Sequence, residues 1–190
     1  MKRLLLILVL TFSFQSWTKA DDISDFEIEG MSLGDNLLNY FTKNQIINNL
    51  ANYYNDKEYS VTELNSANLD YFIIQVHYKK EGKKFIIYAL DGLFEIENMQ
   101  QCINKKNDIA DDMSSVFKNT DREDRPNAKM TSGHGVMPNI KFYFDTEDFA
   151  EVTCYDYNKQ AEDERGWRDH GRVSLSKKIL TDWLRDKAYK

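Results

Sequence analysis

Three groups of side chains in this sequence have the types and spacing to do chemistry. The first is Arg165, Trp167, Arg168, Asp169, His170 and Arg172, an aromatic anchor set among cations, the mixture that binding surfaces favour. Asp169 and His170 are adjacent, and a carboxylate beside an imidazole can orient it for acid–base work. Sequence neighbours seldom form a working dyad, so recognition is a better reading of this group than catalysis, and a solvated surface with one packed Trp is the leading one. The second lies between Lys118 and Asn139, about 22 residues without regular pattern and longer than a compact domain keeps without purpose. Its Arg122, Arg125, Lys129 and His134 can gather an acidic ligand, and the glycines flanking His134 allow a backbone to come close. The third is His77, which lines a groove or faces water from the open side of a sheet; the water-facing reading is the simpler one. Each group also reads as plain solvated surface.

No phosphate loop, nucleophile elbow, zinc signature or calcium loop is present, so no cofactor or metal is expected and no residue is assigned as catalytic. Asp145, Glu147 and Asp148 in one turn supply too few oxygens for a calcium site.

Compartment gives the cysteines their meaning. Met1-Lys2-Arg3, an apolar run from Leu4 to Phe14 and the small-x-small site Thr18-Lys19-Ala20 predict a cleavable export signal over 1–20, leaving a single domain over 21–190. The apolar run is too short to span a bilayer, so no stable membrane insertion is expected after cleavage. Location should be periplasmic or secreted. Removing the segment takes Lys2, Arg3 and Lys19 but no acid, which moves the formal charge from −6 to −9 and disfavours nucleic acid as a partner. In an oxidising compartment the pair Cys102 and Cys154 reads as a disulfide, since CxxC spacing and nearby His are missing. Closing a loop of about 53 residues stabilises by roughly 4 kcal/mol in the chain-entropy model.

The elements that must position these groups follow from periodicity. Ser32 is expected to cap one short helix, and Thr42 with Gln45 a second through a capping box. Strands are expected over Tyr59 to Leu64, Tyr71 to Tyr78 and Phe85 to Leu90, with Phe72, Ile74, Val76 and Tyr78 on the core face and Asp91-Gly92 breaking the third. Asn98 should cap a long amphipathic helix with Cys102, Lys106 and Met113 near its buried stripe. Strands through Ile140 to Phe144, Val152 to Cys154 and Val173 follow, and then a last helix capped by Ser176, with Leu175 and Leu180 placed as a staple. The order ααβββα followed by βββα predicts an α+β fold with a mainly antiparallel sheet of about five to six strands. Cys154 should join the long helix to a strand.

The phrase Phe26-Glu27-Ile28-Glu29-Gly30-Met31-Ser32-Leu33-Gly34-Asp35-Asn36-Leu37-Leu38, with Tyr88-Ala89-Leu90-Asp91-Gly92, Cys102, Val152-Thr153-Cys154-Tyr155-Asp156 and the Trp183 helix, resembles a family of small exported bacterial proteins of unknown function. That resemblance implies export and paired cysteines. Locally, Gly30-Met31-Ser32 is similar to the repeat of outer-membrane assembly lipoproteins of the SmpA/OmlA type, whose lipid-modified Cys after the signal has no counterpart here. The expectation is an exported, non-catalytic binding or interaction domain of the cell envelope, partnered by a protein or small molecule. A hydrolase built from loop residues and an envelope-assembly factor are the alternatives.

Overall fold

The computed structural model describes residues 22–65 and 70–190. The expected signal, 1–20, lies outside the described residues. Two 3-10 turns, Ile23–Asp25 and Leu37–Asn39, precede helix α1 (Lys43–Asn48). Then come β1 (Leu50–Ala51), β2 (Ser60–Leu64), β3 (Ile73–Glu81), β4 (Lys84–Phe94), helix α2 (Met99–Val116), β5 (Asp121–Arg125), β6 (Gly135–Val136), β7 (Asn139–Tyr143), β8 (Phe149–Tyr157), α3 (Lys159–Arg165), β9 (His170–Ser176) and α4 (Lys178–Asp186). The strands form a sheet in the order β1-β2-β3-β4-β9-β8-β7-β5, with β6 paired to β8. Every pairing between these strands is antiparallel.

An α+β fold with an antiparallel sheet matches the sequence expectation, but the sheet has nine strands rather than five or six. The additional strands escape periodicity because they carry no apolar alternation: β5 is Asp-Arg-Glu-Asp-Arg, exposed throughout, while β1 and β6 are two residues each. The segment 118–139 is therefore partly sheet. Strand β4 also runs on through Asp91-Gly92 instead of breaking there. The Tyr71 ring lies over Gly92 so closely that a Cβ would sit 2.6 Å from it, so glycine makes room for the tyrosine.

The helix expected from Ser32 shrinks to a 3-10 turn capped by Asn36, because the chain before it is tied to β4: Gly34 N–H donates to Ile87 O and Ile87 N–H to Asp35 O, both at 2.9 Å. The capping box of Thr42 and Gln45 forms as expected. At the C-terminal helix, Ser176 ends β9 and Lys177 takes the cap position, while Asp148 accepts the Lys178 N–H at 2.7 Å. Leu175 and Leu180 are buried on opposite sides of the sheet and make no staple. Phe72, expected in the core, is 40% exposed, ahead of the first residue of β3.

Alternation then makes the two sheet faces different. One face carries Ile74, Val76, Leu90, Phe94, Ile140, Phe142, Val152, Val173 and Leu175, and packs beneath α2 and the N-terminal segment. On α2, Asn98 caps Gln101 N–H at 2.9 Å, and Cys102, Lys106, Ala110 and Met113 recur at helical spacing as its buried stripe. Cys102 is disulfide-bonded to Cys154 of β8, with Cα atoms 6.0 Å apart. The other face is apolar only towards β2 and β4, where Tyr54, Tyr59, Val61, Ala89, Leu180, Trp183 and Ala188 cluster beneath α4. Trp183 Nε1–H donates to Asp56 at 3.0 Å, which satisfies the indole.

The bridge ties the covering helix to the middle of the sheet. Replacing both cysteines by Ala should lower the unfolding free energy by roughly 2–4 kcal/mol in urea titration, and denatured, unreduced protein should show no titratable thiol.

Candidate functional site

The outward face holds what periodicity did not announce. Glu123, Lys141, Glu151, Ser174, Asp91, Gln75 and Glu63 are successive register partners across β5, β7, β8, β9, β4, β3 and β2. This row forms a continuous polar band across the sheet. Cross-strand partners of this kind interact directly, and Lys141 Nζ lies 3.4 Å from Glu151 Oε2 while Gln75 donates to Glu63 at 2.7 Å. The hydroxyl of Tyr53 also donates to Glu63.

At the centre of the band sits Asp91, its side chain 9% exposed. Ser174 donates its hydroxyl to Oδ1, His77 Nε2 lies 3.1 Å from Oδ2, and Arg172 Nε stands 3.7 Å from Oδ1. Burial opposes the charge on Asp91, yet the Arg172 guanidinium and the hydrogen bonds from His77 and Ser174 overcome it and hold the carboxyl below the usual range. A carboxylate only accepts, so His77 Nε2 carries the proton, and in the neutral ring Nδ1 accepts from the Tyr54 hydroxyl at 3.0 Å. Burial pushes the Tyr54 phenol up, away from phenolate chemistry.

Between this cluster and α4 opens a cleft of about 290 Å³, lined by Tyr53, Tyr54, His77, Asp91, Phe149, Glu151, Arg172, Ser174, Leu180, Leu184 and Tyr189 among others. Four buried side-chain atoms on this face have no hydrogen-bond partner among the described residues: Glu151 Oε1, Arg172 Nε, Thr153 Oγ1 and Asn139 Oδ1. Asn139, Thr153 and Arg172 are register partners in the row next to the polar band. Buried polar groups are nearly always satisfied by protein, water or ligand, and these four are not satisfied by the described protein residues.

Some of the residues singled out from sequence come together at the end of β8 and β9. His134 meets the Trp167 ring edge-on at 5.5 Å, Trp167 lies 5.1 Å from Tyr157, and His170 stacks on Tyr155 at 4.7 Å, with Arg172 over the far part of the same ladder. Arg168 and His170, with Phe72, Glu95, Ile96 and Asp169, line a second pocket of about 470 Å³. His170 Nδ1–H donates to Arg168 O at 2.9 Å, and burial holds the imidazole below its ordinary range. Asp169 does not orient His170; its carboxylate accepts the Tyr157 N–H at 2.8 Å.

Arg122 and Arg125 lie elsewhere, on the edge strand β5, and are already paired. Arg122 binds Asp124 at 2.9 Å and Asp111 at 3.4 Å, and Arg125 binds Glu123 at 2.5 Å. Sequence reasoning placed His77 on the right side of its strand, but the side chain is 11% exposed and bonded to Asp91 rather than facing water; it missed Asp91 and Glu151 and grouped Arg172 with the loop before it, because their juxtaposition depends on register between distant strands. Among the described residues no group of three or more His, Cys, Asp or Glu is placed to hold a metal ion, and no helix is long and apolar enough to cross a membrane. No protein-family model, curated protein or solved structure matches the chain.

Because its folded ionisation is depressed, Asp91 contributes stability that is complete above the unfolded carboxylate value of roughly 3.9 and is lost as pH falls further. Asp91→Asn should cost about 2–3 kcal/mol at pH 7 and flatten the loss of stability below about pH 4, read by urea unfolding at each pH.

Proposed function

We propose that this chain is an exported, disulfide-stapled binding domain of the cell envelope, which holds a small polar ligand on the outward face of its sheet and performs no bond chemistry on it. The observation that carries this reading is the set of four unpartnered buried polar atoms on neighbouring rows of that face, two of them on residues that line the cleft. The cleft has the mixed wall of small-molecule sites: aromatic and aliphatic on the α4 side, with a few convergent polar groups on the sheet side. Residues 1–20 and the Cys102–Cys154 bridge support the compartment.

The hydrolase reading has one specific observation in its favour, a neutral-leaning His170 oriented through Nδ1 beside a pocket. Among the described residues, however, no hydroxyl or thiol bonds its Nε2. At the other histidine, His77, the bonded hydroxyl is the Tyr54 phenol, which burial turns away from ionisation, while the Ser174 hydroxyl is bound to Asp91 and not to His77. Neither constellation presents the nucleophile–base contact that acyl transfer needs.

Two measurements test the proposal. The chain recovered from fractionated cells should be periplasmic or extracellular and begin at Asp21; intact Met1 chain in the cytoplasm would refute export. Amide exchange in β8 and β9 should slow when purified protein meets the low-mass filtrate of an envelope extract, and unchanged exchange would refute binding at this face.

A further inference from the structure

Two opposite charges in the cleft stand one diagonal step apart and do not pair with each other. Glu151 is the register partner of Ser174, and Arg172 lies two residues before Ser174 on the same strand face. Diagonal neighbours of this kind sit roughly 7–8 Å apart at the backbone, within reach for two long side chains. Instead, Glu151 turns one oxygen to Lys141 and leaves Oε1 without a partner, although its side chain is only 5% exposed. Arg172 leans on Asp91 at 3.7 Å and stacks 4.7 Å over the Tyr155 ring. Among the described residues its side chain makes no hydrogen bond: Nε has only the longer ion pair with Asp91.

A buried acceptor that carries charge and a guanidinium that makes no hydrogen bond among the described residues define complementary halves of a ligand. Guanidinium forks match carboxylates in geometry and charge, and a buried carboxylate oxygen calls for a charged N–H donor. Beside the polar groups of the sheet the wall carries four aromatic rings, Tyr53, Tyr54, Phe149 and Tyr189, with Leu180 and Leu184 of α4, and about 290 Å³ admits a molecule of modest size. We propose that the cleft is a receptor site for a zwitterion of the α-amino-acid type with an apolar side chain, its carboxylate held by Arg172, its ammonium by Glu151 Oε1 and its side chain against the tyrosines. This rests on the binding-domain reading above and specifies its ligand class.

Isothermal titration of the full mature chain with phenylalanine, with its des-amino analogue 3-phenylpropionate and with its decarboxylated analogue phenethylamine reads the two halves separately. Phenylalanine of one or both enantiomers should bind, and each analogue should bind at least about tenfold more weakly. Glu151→Gln should erase the advantage of phenylalanine over phenylpropionate, and Arg172→Lys its advantage over phenethylamine, with near-ultraviolet circular dichroism confirming that each variant keeps native packing. If a variant does not fold, the analogue comparison on the unmodified chain decides alone. Equal affinity for all three compounds, or heat from none of them, overturns the zwitterion assignment. If β8 and β9 are still protected by the envelope filtrate in that case, the binding-domain reading stands and only the ligand class falls; if that protection is also missing, both fall.

Discussion

A carboxylate placed in the middle of a sheet must be compensated there, and Asp91 on β4 is compensated from both neighbouring strands: His77 on β3, and Ser174 and Arg172 on β9. Removing an ionised group from water costs several kcal/mol unless close partners replace the hydration. A slip of one residue in either pairing would turn the partners to the apolar face. The charge thus specifies the register β3-β4-β9, and with it the position of everything carried by those strands, the cleft included.

On the opposite face the same strands answer a different requirement. Apolar residues alternate inward to form the large core under α2, and the Cys102–Cys154 bond holds that helix over the strand that also presents Glu151 and Thr153 outward. Gly171 fits this side because a Cβ there would fall 2.0 Å from the Phe94 ring, so the aromatic side chain occupies the space that another residue would fill. Rigid backing on one face and unsatisfied polarity on the other distinguish the two sides of the sheet: the first provides stability, and the second keeps polar groups that the fold itself does not satisfy.

The inward face was readable from period-two alternation, as were the long helix with its Asn98 cap, the capping box at Thr42 and the helix-to-strand direction of the disulfide. Those signals are local. The polar band was not readable, because each strand contributes one or two polar residues that look like ordinary water-facing positions, as His77 does beside Gln75. Only the order β4-β9-β8, which joins residues more than eighty positions apart, sets Asp91 beside Ser174. Likewise, Asp91-Gly92 has the composition of a turn, and nothing local discloses that Tyr71 lies over the glycine. The arginines of 118–139 drew notice as free cations, whereas in the sheet their neighbours two residues away, Asp124 and Glu123, already neutralise them.

The two ends of the sheet decide how other molecules can approach it. An unpaired edge strand invites another chain to extend the hydrogen-bond ladder, and proteins blunt such edges with brevity or charge. Here one end, β1, is two residues long, and the other, β5, is a run of alternating acids and arginines exposed along its length. Growth of the sheet by strand addition is therefore discouraged at both margins. With both margins blunted, the broad face and the loops are the surfaces left for contact with other molecules, and edge-to-edge filament growth is disfavoured.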